Sequence, residues 1–446
     1  MSTHTLNQTL LGSASGFPKP LTRNMSLMIT GLVVIGSIRG IIVLNTSLSP
    51  NLVYRGVAAL LMMVSALGIL AIPQFKSTGF GRLKTLAYLN LVLGGLNLVV
   101  DHLFLFYPLA EGLGMLYVYI APFILFVQMK VDPKHLRIGI AVITIAITYS
   151  VLDNFYQLLS GPDGAQRVID YNLRLSPTNR NTLSQGSGAT MYRVGGYTGS
   201  YHDSANILGM SVCYFFIRSL LKRNLVDMGL ALTGIVGLTI TQSASNIVIV
   251  GVTLFFSTIY LLWRTRDKMT VLYLMLFTLG LGFLVWRSGG VMIFFTSRLS
   301  NWDYWSGMFH QLDRASLTRL LPFAMVGHFS AVGDLSCSTG QARLCNGITE
   351  VSFLRYLYQL GIVHTTILFT ILVYPVWRWF RVRRRCAAAL PAVAAILCGF
   401  MTLSHYASLF RVTSQFLFYA FGAICLNYVM ETQREIRLER AKSVSS

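Results

Sequence analysis

Apolar residues in this chain come in long blocks, not in the short periods of a soluble amphipathic helix or a half-buried strand. Apolar blocks occur at 24–44, 52–73, 85–106, 113–130, 137–153, 205–221, 225–241, 246–263, 270–287, 352–377, 387–403 and 412–430. A helix rises about 1.5 Å per residue, so about 20 apolar residues cross the ~30 Å core of a bilayer. The pattern therefore predicts an all-α, polytopic membrane protein of about 12 transmembrane helices. Only the short polar break Gln242–Ser245 separates the seventh block from the eighth. Two polar stretches are too long to be simple turns, at 154–204 and 288–351. The expected organisation is a tail at 1–23, a transmembrane domain at 24–430 that includes both loops, and a second tail at 431–446. Met1–Arg23 has no apolar core ahead of a cleavage site, so no signal peptide is expected.

Composition supports this reading. The chain has 446 residues, of which 54% are hydrophobic and 12% charged. A soluble domain carries about 25% charge. The formal net charge of +20 would point to nucleic acid if taken alone, but its distribution points to a membrane. Of the 36 basic residues, 23 fall in seven segments that alternate strictly with the other connections. The segments lie around Lys19, Lys76, Lys130, Arg218, Arg264, Arg378–Arg385 and Arg434–Lys442. The positive-inside rule then places both termini in the cytoplasm and both long loops outside, and no nucleic-acid partner is expected. All of the lysines fall in the cytoplasmic set, and the outward cations are all arginine. Arginine presents a planar fork that binds phosphate in bidentate fashion, so this asymmetry fits an outward surface that handles a phosphorylated headgroup.

Several stretches could carry chemistry. Arg193–Gly209 reads RVGGYTGSYHDSANILG. Its glycines at 195, 196 and 199 allow a sharp turn or close backbone approach to a ligand. His202 and Asp203 can hydrogen-bond or move protons. Ser204 or Asn206 is placed to cap the next helix, whose positive N-terminal end suits an anion. A plain glycine-rich lead into a helix would use the same residues. Asp303–Met325 has helical spacing, with His310 and Arg314 on one face, and fits a helix lying along the membrane surface. Val326–Gly333 (VGHFSAVG) follows, with His328 between two glycines. Glu350 and Arg355 stand at the edge of the tenth block, where a charge needs a partner or water; an interfacial cap with a snorkelling arginine is the plainer account. Cys337 and Cys345 enclose a short outward loop and are expected to form a disulfide. Cys213, Cys386, Cys398 and Cys425 sit in or beside apolar blocks and are expected to be buried thiols. Inside the membrane, Arg39 and the pair Asp101–His102 are polar exceptions, placed to line a cavity, pair with each other or meet the interface. No HExxH, P-loop or GxGxxG occurs, so neither a metal nor a cofactor is expected. The two six-helix halves show no repeat, which weighs against a transporter.

In their order these features resemble the O-antigen polymerase and O-antigen ligase superfamily of bacterial envelopes, over roughly residues 80–430. Arg193 with its following glycines resembles the Arg-rich motif of polymerase loops. LTITQSASN at 238–246 resembles the family's helix break, with Ala244 where the family often has Arg. Arg314 through VGHFSAVG resembles the course of the main periplasmic loop. EVSFLRYLYQLGI resembles the segment leading into the next helix; Glu350 stands where ligases usually carry a His, which favours a polymerase.

The resemblance implies a GT-C-like, metal-independent glycosyltransferase of the bacterial cytoplasmic (inner) membrane, with a periplasmic active face and no cofactor. It would polymerise polyprenyl-diphosphate-linked repeat units into O-antigen, capsule or exopolysaccharide. Its partners would be the lipid-linked donor and acceptor glycans, membrane lipid and a chain-length regulator protein. Arg193, Arg314 and Arg319, then Arg298 and Arg411, would hold the diphosphate. His328, then Glu350, then His202 would take the hydroxyl proton. Alternatives are a ligase that transfers glycan to lipid A core, and a lipid-linked oligosaccharide flippase or other transporter.

Overall fold

The computed structural model describes residues 20–46, 48–75, 80–105, 116–175, 183–186, 189–192, 194–241, 243–265, 352–404 and 412–445. Eleven of the twelve predicted apolar blocks lie within or largely within these residues, and all eleven are helical; the block at 270–287 lies outside them. Among the described residues, six helices are long and apolar enough to cross a membrane. They belong to α3 (Pro50–Ala71), α4 (Gly81–Leu105), α7 (Pro133–Leu159), α9 (Tyr201–Lys222), α11 (Ala244–Thr265) and α12 (Ser352–Val382). Shorter apolar helices complete the bundle: α1 (Arg23–Ser37), α2 (Gly40–Asn45), α5 (Leu116–Ile120), α6 (Ile124–Gln128), α10 (Leu225–Ile240) and α13 (Leu390–Met401). The last helix, α14 (Val412–Ser445), runs for 34 residues, about 51 Å at helical rise. It outruns a hydrocarbon core, and its final third carries Arg434, Arg437, Arg440 and Lys442.

Local chemistry starts these helices. The Asp132 side chain accepts from the Lys134 N–H at 2.8 Å ahead of Pro133, the first residue of α7. Asn224 accepts from the Val226 N–H at 2.9 Å and caps α10. A capping side chain satisfies an orphan N–H of the first turn, and proline at the first helical position loses no bond.

The bundle is built around α9, which packs against α7, α10, α11, α13 and α14. In α9, 89% of the span is buried, against 22–50% in the other five candidates. Small residues bring its neighbours close. A Cβ on Gly399 of α13 would stand 2.7 Å from the Met210 sulfur, and one on Gly237 of α10 would stand 2.6 Å from Thr148 Oγ1. Close approach of this kind supplies packing energy where lipid removes the hydrophobic drive between helices.

Basic segments from all parts of the chain meet at one end of the bundle. The Leu21 N–H donates to the Lys130 carbonyl at 3.0 Å. Lys84 bonds the Phe75 carbonyl. Arg378 stands 5.6 Å over the Phe80 ring and bonds Gln433. Arg264 donates to the carbonyls of Arg383 and Arg384 at 2.7 and 2.8 Å. Arg137 of α7 and Arg218 of α9 both hold Asp227 of α10 at 3.0 Å. Asp227 is fully buried, so two cations compensate a carboxylate that burial would otherwise destabilise. The alternation of charge along the sequence is thus a single basic end in space.

Four expectations need correction. The first block is not one helix: it breaks at Ile38 and Arg39, between α1 and α2. Phe416 and the Tyr197 carbonyl press against Gly36 and Gly40 on either side of the break. The fourth block is two short helices joined by a 3-10 turn at Ala121–Phe123, where Pro122 supplies no N–H for an α-helical bond. The stretch 154–204 is not simply loop. It contains the end of α7, an amphipathic helix α8 (Pro162–Leu175) and an antiparallel hairpin of β1 (Leu183–Gly186) and β2 (Ala189–Tyr192). Among the described residues the fold is therefore all-α with one small hairpin. Finally, α9 starts at Tyr201, with Ser200 rather than Ser204 or Asn206 at the cap position.

Candidate functional site

Among the described residues, the end of the bundle opposite the basic end is polar but carries few charges. Contacts along the helices set its level. Tyr214 of α9 packs on Phe421 of α14, with ring centroids 5.2 Å apart. A Cβ on Gly209 would meet Val250 of α11 and Cys398 of α13, and Thr253 of α11 lies 3.8 Å from the Met401 sulfur. Arg218 of α9, Arg264 of α11 and Glu439 of α14 all bond at the basic end, and Cys386, just ahead of α13, accepts from Trp379 there, so α9, α11 and α14 run in the same direction, with α13 against them. The N-termini of α9, α11 and α14 meet the C-terminus of α13 at this polar end. The C-termini of α7 and α10 lie at this end as well, so the helix dipoles there largely offset one another.

The glycine-rich segment builds one wall. Gly196–Thr198 forms a 3-10 turn with φ +53° at Gly196 and φ +72° at Gly199. The turn docks on α7, where Ser150 Oγ accepts from the Tyr197 N–H at 2.9 Å. A Cβ at Gly196 would stand 2.4 Å from that same oxygen. Ser204 Oγ donates back to the Gly195 carbonyl at 2.5 Å, and the Ser204 and Thr198 hydroxyls lie 2.8 Å apart. Arg39 Nη2 reaches the Thr198 carbonyl at 3.4 Å. Burial pushes the Tyr197 phenol above its ordinary value, with Tyr149 and Asp153 adding to the shift, so Tyr197 stays a neutral donor. These glycines thus serve a sharp turn and tight packing, and the signal for a ligand lies in the side chains beneath them.

Around and below the turn, toward the polar end, several helices carry buried polar groups. On α9 they include His202, Asp203 and Asn206, with the His202 ring 3.8 Å from that of Tyr201. On α7 they include Asn154; on α14, Thr413, Ser414 and Gln415; at the α10–α11 turn, Thr241, Ser243 and Asn246. Asn246 Nδ2 donates to Ser243 Oγ at 2.9 Å. Neither amide atom of Asn206 or of Asn154 has a hydrogen-bond partner among the described residues, nor do the hydroxyls of Ser200, Thr413 and Ser414. Each unmet buried group costs about 1–3 kcal/mol, and so many toward one end mark a place built to bond something else.

Of the residues expected to act, His202 falls among these groups. Arg193, Arg298, Arg314, Arg319, Arg411, His328, Glu350, Cys337 and Cys345 lie outside the described residues, as do the side chains of Asp101 and Arg355. Arg193 directly precedes Val194 of the buried turn segment, and Arg411 directly precedes α14. The helix break expected at 238–246 is present, between Ile240 and Ala244, at the polar end. Cys213, Cys386, Cys398 and Cys425 are buried free thiols, as expected. Among the described residues no three His, Cys, Asp or Glu side chains are grouped to hold a metal ion.

The sequence did not single out a second polar cluster, inside the bundle between α4 and α12. His364 Nδ1 lies 3.2 Å from Asn97 Nδ2, and its Nε2 lies 3.0 Å from Asn90 Oδ1. Asn90 Nδ2 donates to the Tyr119 carbonyl at 2.7 Å, and Asn97 Nδ2 to the Leu360 carbonyl at 3.1 Å. The ring therefore faces a donor at Nδ1 and an acceptor at Nε2, which fits the neutral Nε2–H tautomer. This clamp sits beside the break of α12 at Gly361, φ +78°.

No protein-family model matches the chain, and no curated protein matches it.

Proposed function

We propose that this protein is a membrane glycosyltransferase that extends polyprenyl-diphosphate-linked glycans at the polar end of its bundle, on the periplasmic face of a bacterial cytoplasmic membrane. The observation that supports this reading is the set of unmet buried donors and acceptors at Asn154, Ser200, Asn206, Thr413 and Ser414. They are neutral groups of the kind that bond sugar hydroxyls; in sequence Ser200 and Asn206 follow Arg193, and Thr413 and Ser414 follow Arg411. The uneven use of arginine and lysine and the order of the four motifs add to it. In the proposed step an acceptor hydroxyl oxygen attacks the anomeric carbon of the donor. The bond from that carbon to the diphosphate oxygen breaks, and the diphosphate leaves with the electron pair. Guanidinium groups stabilise the charge that develops on it, with Arg193, Arg314 and Arg319 in that role and Arg298 and Arg411 behind them. The hydroxyl proton passes to a base, ranked His328, Glu350, His202. Alignment of two large substrates contributes beside proton transfer.

Arg193→Ala and Arg314→Ala should each abolish chain extension while the protein still accumulates in the membrane, and Arg→Lys should rescue poorly because a fork becomes a point charge. Long-chain polysaccharide at normal level from both alanine variants rejects the assignment. The Asn90–Asn97–His364 cluster is the observation that favours a transporter, since it lies within the spans. That reading predicts lipid-linked repeat units retained on the cytoplasmic side when the protein is lost.

A further inference from the structure

The basic end has a feature that positive-inside bias alone does not require. A cleft of about 480 Å³ is lined by Arg381, Arg383, Arg384, Arg385, Glu439 and Arg440. Its one carboxylate, Glu439, is already paired with Arg385 at 2.5 Å, which leaves four guanidinium groups uncompensated in one hollow. Two of them are held in place by stacking: Arg381 lies 3.9 Å over the Trp377 ring and Arg383 lies 3.8 Å over the Phe380 ring. Arg264 fixes the turn beneath them through the carbonyls of Arg383 and Arg384. An arginine that merely snorkels reaches for water; Arg381 and Arg383 instead lie over rings. Trp377 also lines a second hollow, an apolar groove of about 550 Å³ between α4 and α12. Leu86, Phe369 and Val373 form its walls, with Arg82 among its lining residues. The Arg381–Trp377 stack joins the two.

We propose that these hollows hold one anionic phospholipid of the surrounding bilayer, with an acyl chain in the α4–α12 groove and the phosphate in the arginine cleft. Charge complementarity selects an anion, and basic pockets beside membrane helices bind anionic headgroups at about 1 kcal/mol per cation. The adjoining apolar groove selects a lipid over a free phosphate. A nucleotide base finds no stacking face here, because guanidinium groups already cover Trp377 and Phe380.

The test uses the purified full chain in detergent, with its melting temperature and retained lipid followed as phosphatidylglycerol is titrated in mixed micelles. Phosphatidylcholine and inorganic phosphate serve as separate arms. The cleft variant is Arg381→Gln/Arg384→Gln/Arg440→Gln. A matched variant, Arg23→Gln/Lys134→Gln/Lys222→Gln, removes the same charge from exposed positions at the same end. Wild type and matched variant should respond alike to phosphatidylglycerol. The cleft variant should need at least about tenfold more lipid, and Val373→Trp, which fills the groove, should also weaken binding. If the triple variant does not fold, the exposed Arg384→Gln alone should weaken binding about fivefold. Equal loss in the matched variant reduces the effect to diffuse charge and overturns the proposal. So does an unchanged cleft variant, an equal response to phosphatidylcholine, or a shift reproduced by phosphate alone.

Discussion

At the scale of single residues, a missing partner separates function from packing. Asn206 is fully buried with neither amide atom bonded. Asn206→Leu keeps the forked shape and heavy-atom count and removes two unmet groups, so thermal stability should hold or rise. Extension of lipid-linked glycan should fall about tenfold, the worth of one positioned hydrogen bond. A lowered melting temperature with unchanged extension would make Asn206 a structural residue. Asp227 is the opposite case, since Arg137 and Arg218 form ion pairs with its two oxygens. Asp227→Asn leaves two guanidinium groups facing a neutral amide and should destabilise by about 3 kcal/mol, read as a lower melting temperature of the purified protein. Sequence alone does not single out Asp227, and an Asn in HDSAN passes for a helix cap. Only the contacts show that the first is ion-paired and that the second is not bonded among the described residues.

At the scale of elements, hydropathy located the helices but not their breaks. The break at Arg39 follows from atoms distant in sequence, Phe416 against Gly36 and Tyr197 against Gly40, and no local pattern carries that information. The turn at Ala121–Phe123 was legible through Pro122 but was overridden by the length of the apolar run. The hairpin of β1 and β2 and the helix α8 lie in a polar stretch where an all-helical reading left no room for them. The glycine segment was legible as a turn, because positive φ at two of three clustered glycines is what that residue type permits. Gly196→Ala should therefore destabilise by about 1–3 kcal/mol through strain and its clash with Ser150. Gly31→Ala in α1, where a Cβ meets nothing within 4 Å, should stay within about 1 kcal/mol of wild type. Thermal unfolding of the two variants side by side checks the contrast.

At the scale of the whole molecule, the described residues gather cations at one end and buried neutral polar groups toward the other. The first half of that polarity was readable from the alternation of Lys and Arg, because membrane insertion imposes the same asymmetry on every short loop. The second half was not, because serine, threonine and asparagine inside an apolar block are unremarkable until helices from distant parts of the chain bring them toward one end. A bundle polarised in this way suits a reaction whose lipid-linked substrates approach from one face only. The glycan pattern of a strain lacking this chain, resolved on a gel, tests that most directly. The account predicts that the long-chain ladder collapses to product bearing a single repeat and returns with the wild-type chain but not with Arg193→Ala. An unchanged ladder, or full-length polymer left on its lipid carrier, would contradict it.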